Sequence, residues 1–525
     1  MKGLYFVLTL MLATVVSSYT MATHATTINT QTISTKATSA KTIKIALDHD
    51  PISLDPHEQL TEKTLQTSHL LFDPLLRWTQ DNTLEARLAT HWRNLDAHTT
   101  RFFLRDNVTF HSGNPLTVDD VVFTIERLKK SPDFKALFDN ILTVKKVDRL
   151  TFDIVTKKPT PLLLNLMTYV FPMDHQFYQD KDRVLKFGKS FASYNVSGTG
   201  PFIVTKREQG KQIDFIRNPN YWDTSSKGNI GRIELTPIKS NSTRLAALLS
   251  DDVDFIHPVA PLDTKRLENT ANIDLITLLS SRVLLLQLNQ TKRAEFQDIR
   301  VRKAINLAIN QQLIVDKVLK GLSKAAGQLS HEQFMGHVEE LQPLYNLDQA
   351  RQLMQEAGYA SGFRVSMITS YGINAQVAQA IESMLAKINI QIDLKAVPAA
   401  QYLRAIDERS TDLLLMSWLS DTQDSNNLFE FLIACTDEKT GFGAFNTHGY
   451  CNPAIDNMIN AANEELDQTK RRDLLQTIEK QLAADAVFVP IAWLHLSWAA
   501  KRHINLHTIV NNQNLYYLGD TVVSD

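Results

Sequence analysis

DLLLMSWLSDTQDSNNLF (412–429) closes an alternation of patterns that decides the fold. Ahead of it stand a strand pattern, FRVSMITS (363–370), and a helix pattern, NAQVAQAIESMLAKI (374–388). A second strand, NIQIDLKAV (389–397), and a second helix, AAQYLRAIDER (399–409), follow, and DLLLMSWL (412–419) supplies the third strand. This βαβαβ order predicts an α/β fold with parallel strands and right-handed crossovers. Leu413, Leu414, Leu415 and Met416 form an unbroken apolar run, as a strand covered on both faces requires. Ligands of open α/β sheets bind beyond the carboxyl ends of strands. Here that place holds Trp418, Leu419, Ser420, Asp421 and Asp424. An aromatic wall beside a fixed negative charge suits a cationic group such as the amino terminus of a peptide. A plainer role fits the same residues: Trp418 as core, and Asp421 as the N-cap of a helix opening near Ser425.

Working upstream, Val301, Ile305, Ala308, Ile309 and Leu313 recur at helical spacing, and DQARQLMQEAG runs to a Gly358 C-cap. Short strands precede them: QIDFIRN (212–218), RIELTPI (232–238), DVDFIH (252–257) and RVLLLQLN (282–289), which predict a mixed sheet. NVSGTGPF (195–202) lacks the Gly-Lys-Ser/Thr of a phosphate loop. Its Gly198 and Gly200 read as a tight turn or hinge. Thr117 N-caps DDVVFTIERL, with Asp119 and Asp120 as first-turn acids rather than catalysts. TIKIAL, from Thr42, opens the folded part.

The chain of 525 residues is 43% apolar and 21% charged, with net charge −2. These are the proportions of an ordinary globular protein of roughly three or four domain-sized units, without a nucleic-acid signal. Residues 1–25 carry Lys2, an apolar run too short to span a bilayer, and small residues, the pattern of a secretory signal. Residues 26–40, rich in Thr, Ser and Ala, read as a flexible leader. In an exported chain, its two cysteines, Cys435 and Cys451, read as a disulfide. A metal site from Cys435, His448 and Cys451 is the alternative. No HExxH, GxSxG, GxGxxG or Walker motif occurs, which lowers an enzymatic reading without removing it.

Several segments together resemble one family. SLDPH (53–57), FHSGNPLTVDDVVFTIERL (110–128), SGTGPF (197–202), NPNYW (218–222), IRVRKAINLAINQQLIVDKVLKG (299–321) and SWLSDTQDSNNLF (417–429) are similar to the extracytoplasmic solute-binding proteins, family 5, of bacterial ABC importers. The likeness is to the dipeptide- and oligopeptide-binding group, including Sap-like members. It implies a type II periplasmic-binding-protein fold of the large three-domain variety: two lobes, mixed sheets and a hinge. A short peptide would be enclosed between the lobes and handed to a membrane permease. Asp421, three residues after Trp418, matches the family's ammonium-binding aspartate, and Trp418 would line a side-chain pocket. Two departures stand out. Dipeptide-type members carry an arginine for the ligand carboxylate in the loop that is SYGINAQ (370–376) here. They also tend to have Asp-Pro-Asp where this chain has Asp424-Ser425-Asn426. A longer peptide, or a ligand without a free carboxylate, is therefore expected.

The expected division is a main domain of lobe 1 (41–75, 194–285 and 498–525), an extra domain (76–193) and a ligand-binding lobe 2 (286–497). The expected protein is a periplasmic, Gram-negative, monomeric binding protein without cofactor or metal. A chelate, haem or oligosaccharide ligand on the same fold, and an exported peptide or cell-wall hydrolase, are the alternatives.

Overall fold

The computed structural model describes residues 41–437, 441–508 and 510–524. The signal and leader segments, 1–25 and 26–40, lie outside the described residues. The alternating region folds as its pattern predicts. Phe363–Ser370 pairs in parallel with Ile390–Val397 on one side and with Leu413–Trp418 on the other. Helices Ile373–Leu385 and Ala399–Asp407 make the connections. The apolar run has a direct cause. Leu413 and Leu415 enter one hydrophobic cluster with Val365, Met367 and Ile390. Leu414 and Met416, on the opposite face, enter another with Leu428 and Phe429. Successive side chains of a strand point to opposite faces, so a strand with both faces covered reads as continuous leucine.

These strands are one end of an eleven-stranded sheet. Leu413–Trp418 pairs antiparallel with Ile273–Leu288, and that strand pairs with Phe488–Lys501. Beyond lie Phe255–His257, Lys41–Leu47, Ile230–Pro237, Gln212–Arg217 and Phe202–Glu208, and the two-residue Lys324–Ala325 pairs with Phe488–Lys501 off this path. Sequence reading found only the second half of the strand Ile273–Leu288. Ser280 and Ser281 interrupt its apolar pattern, and there the register to Phe488–Lys501 shifts, between Leu279 and Val283. One strand therefore serves the sheet on both sides of an irregularity.

A separate four-stranded antiparallel sheet, built from Ala89–Asn94, Thr99–Leu104, Thr151–Thr156 and Ile141–Lys146, carries its own core. The helix Val118–Lys130 packs on it through Val118, Val121, Ile125 and Leu128. Thr117 and Asp120 close a capping box at its start. The buried Asp120 also accepts from the His175 backbone N–H at 2.9 Å, so it is a structural acid.

Gly198 and Gly200 do not form the expected turn. A Cβ on Gly198 would lie 2.0 Å from the Leu71 carbonyl oxygen, and one on Gly200 2.3 Å from the Leu71 carbonyl carbon. The Gly200 N–H donates to that Leu71 oxygen at 3.0 Å. The glycines let two backbones cross in contact, a requirement that sequence cannot distinguish from a turn.

Candidate functional site

The loop after Leu413–Trp418 is built by its own polar groups. Asp424 N-caps the helix Ser425–Leu432, accepting from the Asn426 N–H at 2.9 Å. Its two oxygens also take a fork from Arg471 at 2.7 and 2.8 Å, and both side chains are buried. Ser420 Oγ donates to the Asp424 carbonyl and accepts from the Asp424 N–H, at 2.8 and 3.0 Å. Asn427 Oδ1 accepts from Trp418 Nε1 at 3.1 Å and from the Asp421 N–H at 3.2 Å. Short polar loops need such internal partners because buried backbone groups must be satisfied.

This loop walls a cavity of about 570 Å³. Trp418, Leu419 and Asp421 line it, together with Phe445, whose ring centroid lies 4.6 Å from that of Trp418. Ser420 and Asp424, expected to bind ligand, do not line it. Their polar atoms are consumed in holding the loop, and the helix cap expected of Asp421 falls to Asp424. The facing wall comes from residues 49–52 and 59–64, including the first turn of the helix Glu62–Leu71. The third contributor is Arg282, placed where the long strand changes register, one residue before Val283, the partner of Trp418.

Further contacts surround the cavity. Tyr169 Oη donates to the Asp421 carbonyl, and Asn165 Nδ2 donates to the Thr422 carbonyl at 2.7 Å. Arg282 lies 3.1 Å from Glu62 Oε2, an ion-pair distance. Lys63 pairs with Asp48 at 3.2 Å. Burial pushes the Asp421 carboxyl up to about 7, against the opposing pull of Arg282. Burial also acts on Glu62, but Arg282 and Asn514 bring it below the usual range. The two carboxylates thus differ: Glu62 is compensated by the Arg282 guanidinium, whereas Asp421 is held in a setting where an ammonium would stabilise its charged form.

Cys435 and Cys451 are disulfide-bonded, which removes both thiolates from the alternative metal site. His448 is buried between the Leu432 carbonyl, 2.9 Å from Nε2, and the Tyr450 N–H, 3.1 Å from Nδ1. Sequence reading missed Arg282, Glu62 and Phe445. Arg282 had one signal, a charge at the head of the apolar run VLLLQL.

The model of bacterial extracellular solute-binding proteins, family 5 Middle, matches residues 83–440. The chain is 26% identical to the dipeptide-binding protein of Escherichia coli (strain K12) over 468 residues, covering 83% of this chain and 86% of that one. It is 25% identical to heme-binding protein A of Haemophilus influenzae, covering 81% and 82%. The fold matches the periplasmic binding protein DppA from Helicobacter pylori, solved in complex with peptide STSA, with TM-score 0.78 and 22% identity over 92% and 98% of the two chains. With both the sheet and the cavity loop in place, the chain belongs to family 5 of the bacterial extracellular solute-binding proteins, the solute-binding proteins of ABC transporters.

Proposed function

We propose that this protein captures short peptides in the cavity between residues 49–64 and 417–421 and delivers them to the permease of an ABC importer outside the cytoplasm. The observation that carries the reading is Asp421. Its carboxyl lies on the cavity wall beside Trp418 and is raised to about 7 by burial, a setting in which a peptide ammonium supplies the missing counter-charge. Relatives named for dipeptide binding support the ligand class. Capture shifts an open–closed equilibrium toward closure, with Tyr169 and Asn165 latching onto the Asp421 loop. On this reading the lobes meet where the long strand changes register, between Leu279 and Val283, and Ser280–Arg282 serves as the hinge. The protein acts as a monomer, and the role is binding, not turnover.

The test is a thermal melt of the purified protein, after removal of co-purified ligand, with a pool of two- to five-residue peptides. A ligand that binds only the native state stabilises by about 2.7 kcal/mol at a hundredfold excess over its dissociation constant. An upward shift supports peptide capture. No shift overturns it, and the related heme-binding protein makes haem the next ligand to try.

A further inference from the structure

The family arginine that meets a ligand carboxylate has no counterpart in 370–376, yet the cavity holds a guanidinium elsewhere. We infer that Arg282, on the long central strand, receives the carboxylate of the ligand and that Glu62 holds it in place until the ligand arrives. The inference rests on the peptide reading above and names the second charge of the ligand.

Three observations converge on Arg282. The first is position. It precedes Val283, the strand partner of Trp418, so it lies beside the loop that carries Asp421. Its guanidinium opposes the rise of the Asp421 carboxyl, and only nearby charges do so. The second is unused hydrogen-bonding capacity. A guanidinium carries five N–H donors in a fork that fits a carboxylate. Among the described residues, the side chain of Arg282 meets only Ser417 Oγ, at a long 3.4 Å, and Glu62. Glu62 Oε2 lies 3.1 Å from Nη2, a single-point contact that leaves the rest of the fork open. The pair is an ionic contact, not a closed fork. The third is place in the chain. Arg282 ends the segment where the long strands lose register, so a group bound by its guanidinium pulls on the joint itself.

The chemistry that follows is a zwitterion: an ammonium at Asp421 and a carboxylate at Arg282. Both anchors lie on one wall and its edge, which favours a short ligand over the longer one that residues 370–376 suggest. Glu62 sets the selectivity. A ligand carboxylate displaces it from the guanidinium, whereas a neutral amide does not.

The experiment compares thermal shifts from the same pool of two- to five-residue peptides as free acids and as C-terminal amides. Wild type is expected to bind the acids about thirtyfold more tightly, the lower end of what losing one partner of a desolvated charge pair costs. Arg282→Gln should bring the acids down to the level of the amides. Glu62→Gln should raise the ratio of acid to amide binding, because the guanidinium is then free for the ligand carboxylate. Circular dichroism and the peptide-free melt check that each variant is folded. Equal binding of acids and amides by wild type overturns the role of Arg282 while peptide capture stands. A discrimination that survives in folded Arg282→Gln also overturns it. No binding of either pool overturns the peptide reading itself.

Discussion

Replacing Asp421 with Asn should make the peptide-free protein more stable at pH 8 and no more stable near pH 4. The Asp421 carboxyl rises from 3.8 to about 7 on folding. The folded chain keeps this proton up to about pH 7, and the unfolded chain loses it near pH 4. Stability therefore falls as pH rises between those values; the full penalty is present above the folded value and absent below the unfolded one. At 1.36 kcal/mol per unit, the ceiling is about 4 kcal/mol. The side chain is only partly buried, and solvent screening reduces this to about 2 kcal/mol. Unfolding entropy of about 2.1 cal/mol/K per residue makes that a rise of about 2 °C in the melting temperature for a chain of this length. Asparagine keeps the shape and removes the charge. Melts of ligand-free wild type and Asp421→Asn from pH 4 to 8.5 read the difference. A difference that does not change with pH would refute the argument. The variant should also lose peptide affinity, so stability and capture move in opposite directions, as a strained binding site requires.

Asp424→Ala leaves Arg471 buried without its partner and should cost about 3–5 kcal/mol, read by denaturant unfolding, with Asp424→Ala/Arg471→Met milder than either single change. Gly200→Ala forces a Cβ to 2.3 Å from the Leu71 carbonyl carbon and should destabilise by more than about 3 kcal/mol; a melting temperature like wild type would show that the crossing can open. Replacing Cys435 and Cys451 together with Ser should cost about 3 kcal/mol in the chain-entropy description of a loop of this length, measured against the oxidised parent.

The strands and helices of 363–418 were legible because their apolar spacing reports which faces are covered. Trp418 and Asp421 were legible as cavity candidates because they follow the end of such a strand. What sequence could not separate was cavity lining from loop support. Ser420 and Asp424 carry the same kind of polar atoms as Asp421, and only folding decides that Arg471 and the helix start claim Asp424. Arg282 and Glu62 lie 220 residues apart in the chain, so no local pattern joins them. Gly198 and Gly200 read as a turn or hinge in sequence because a glycine's reason, a positive φ or a crossing backbone, is set by what passes it. The long strand Ile273–Leu288 was halved because Ser280 and Ser281 look like its end.

The central place of Phe488–Lys501 has a consequence for how the protein is made. This strand pairs with Ile273–Leu288 on one side and with Phe255–His257 on the other. It is among the last strands to be synthesised, yet it fills the middle of the sheet. Until it arrives, the earlier strands present two open edges to each other, and such edges invite pairing with other chains. Productive folding must wait for the late segment, and the wait is long because its contacts span more than two hundred residues. A chain truncated before Phe488 should therefore aggregate instead of yielding a slightly shorter binding protein, and a chaperone that shields the edges of Ile273–Leu288 and Phe255–His257 would serve it best.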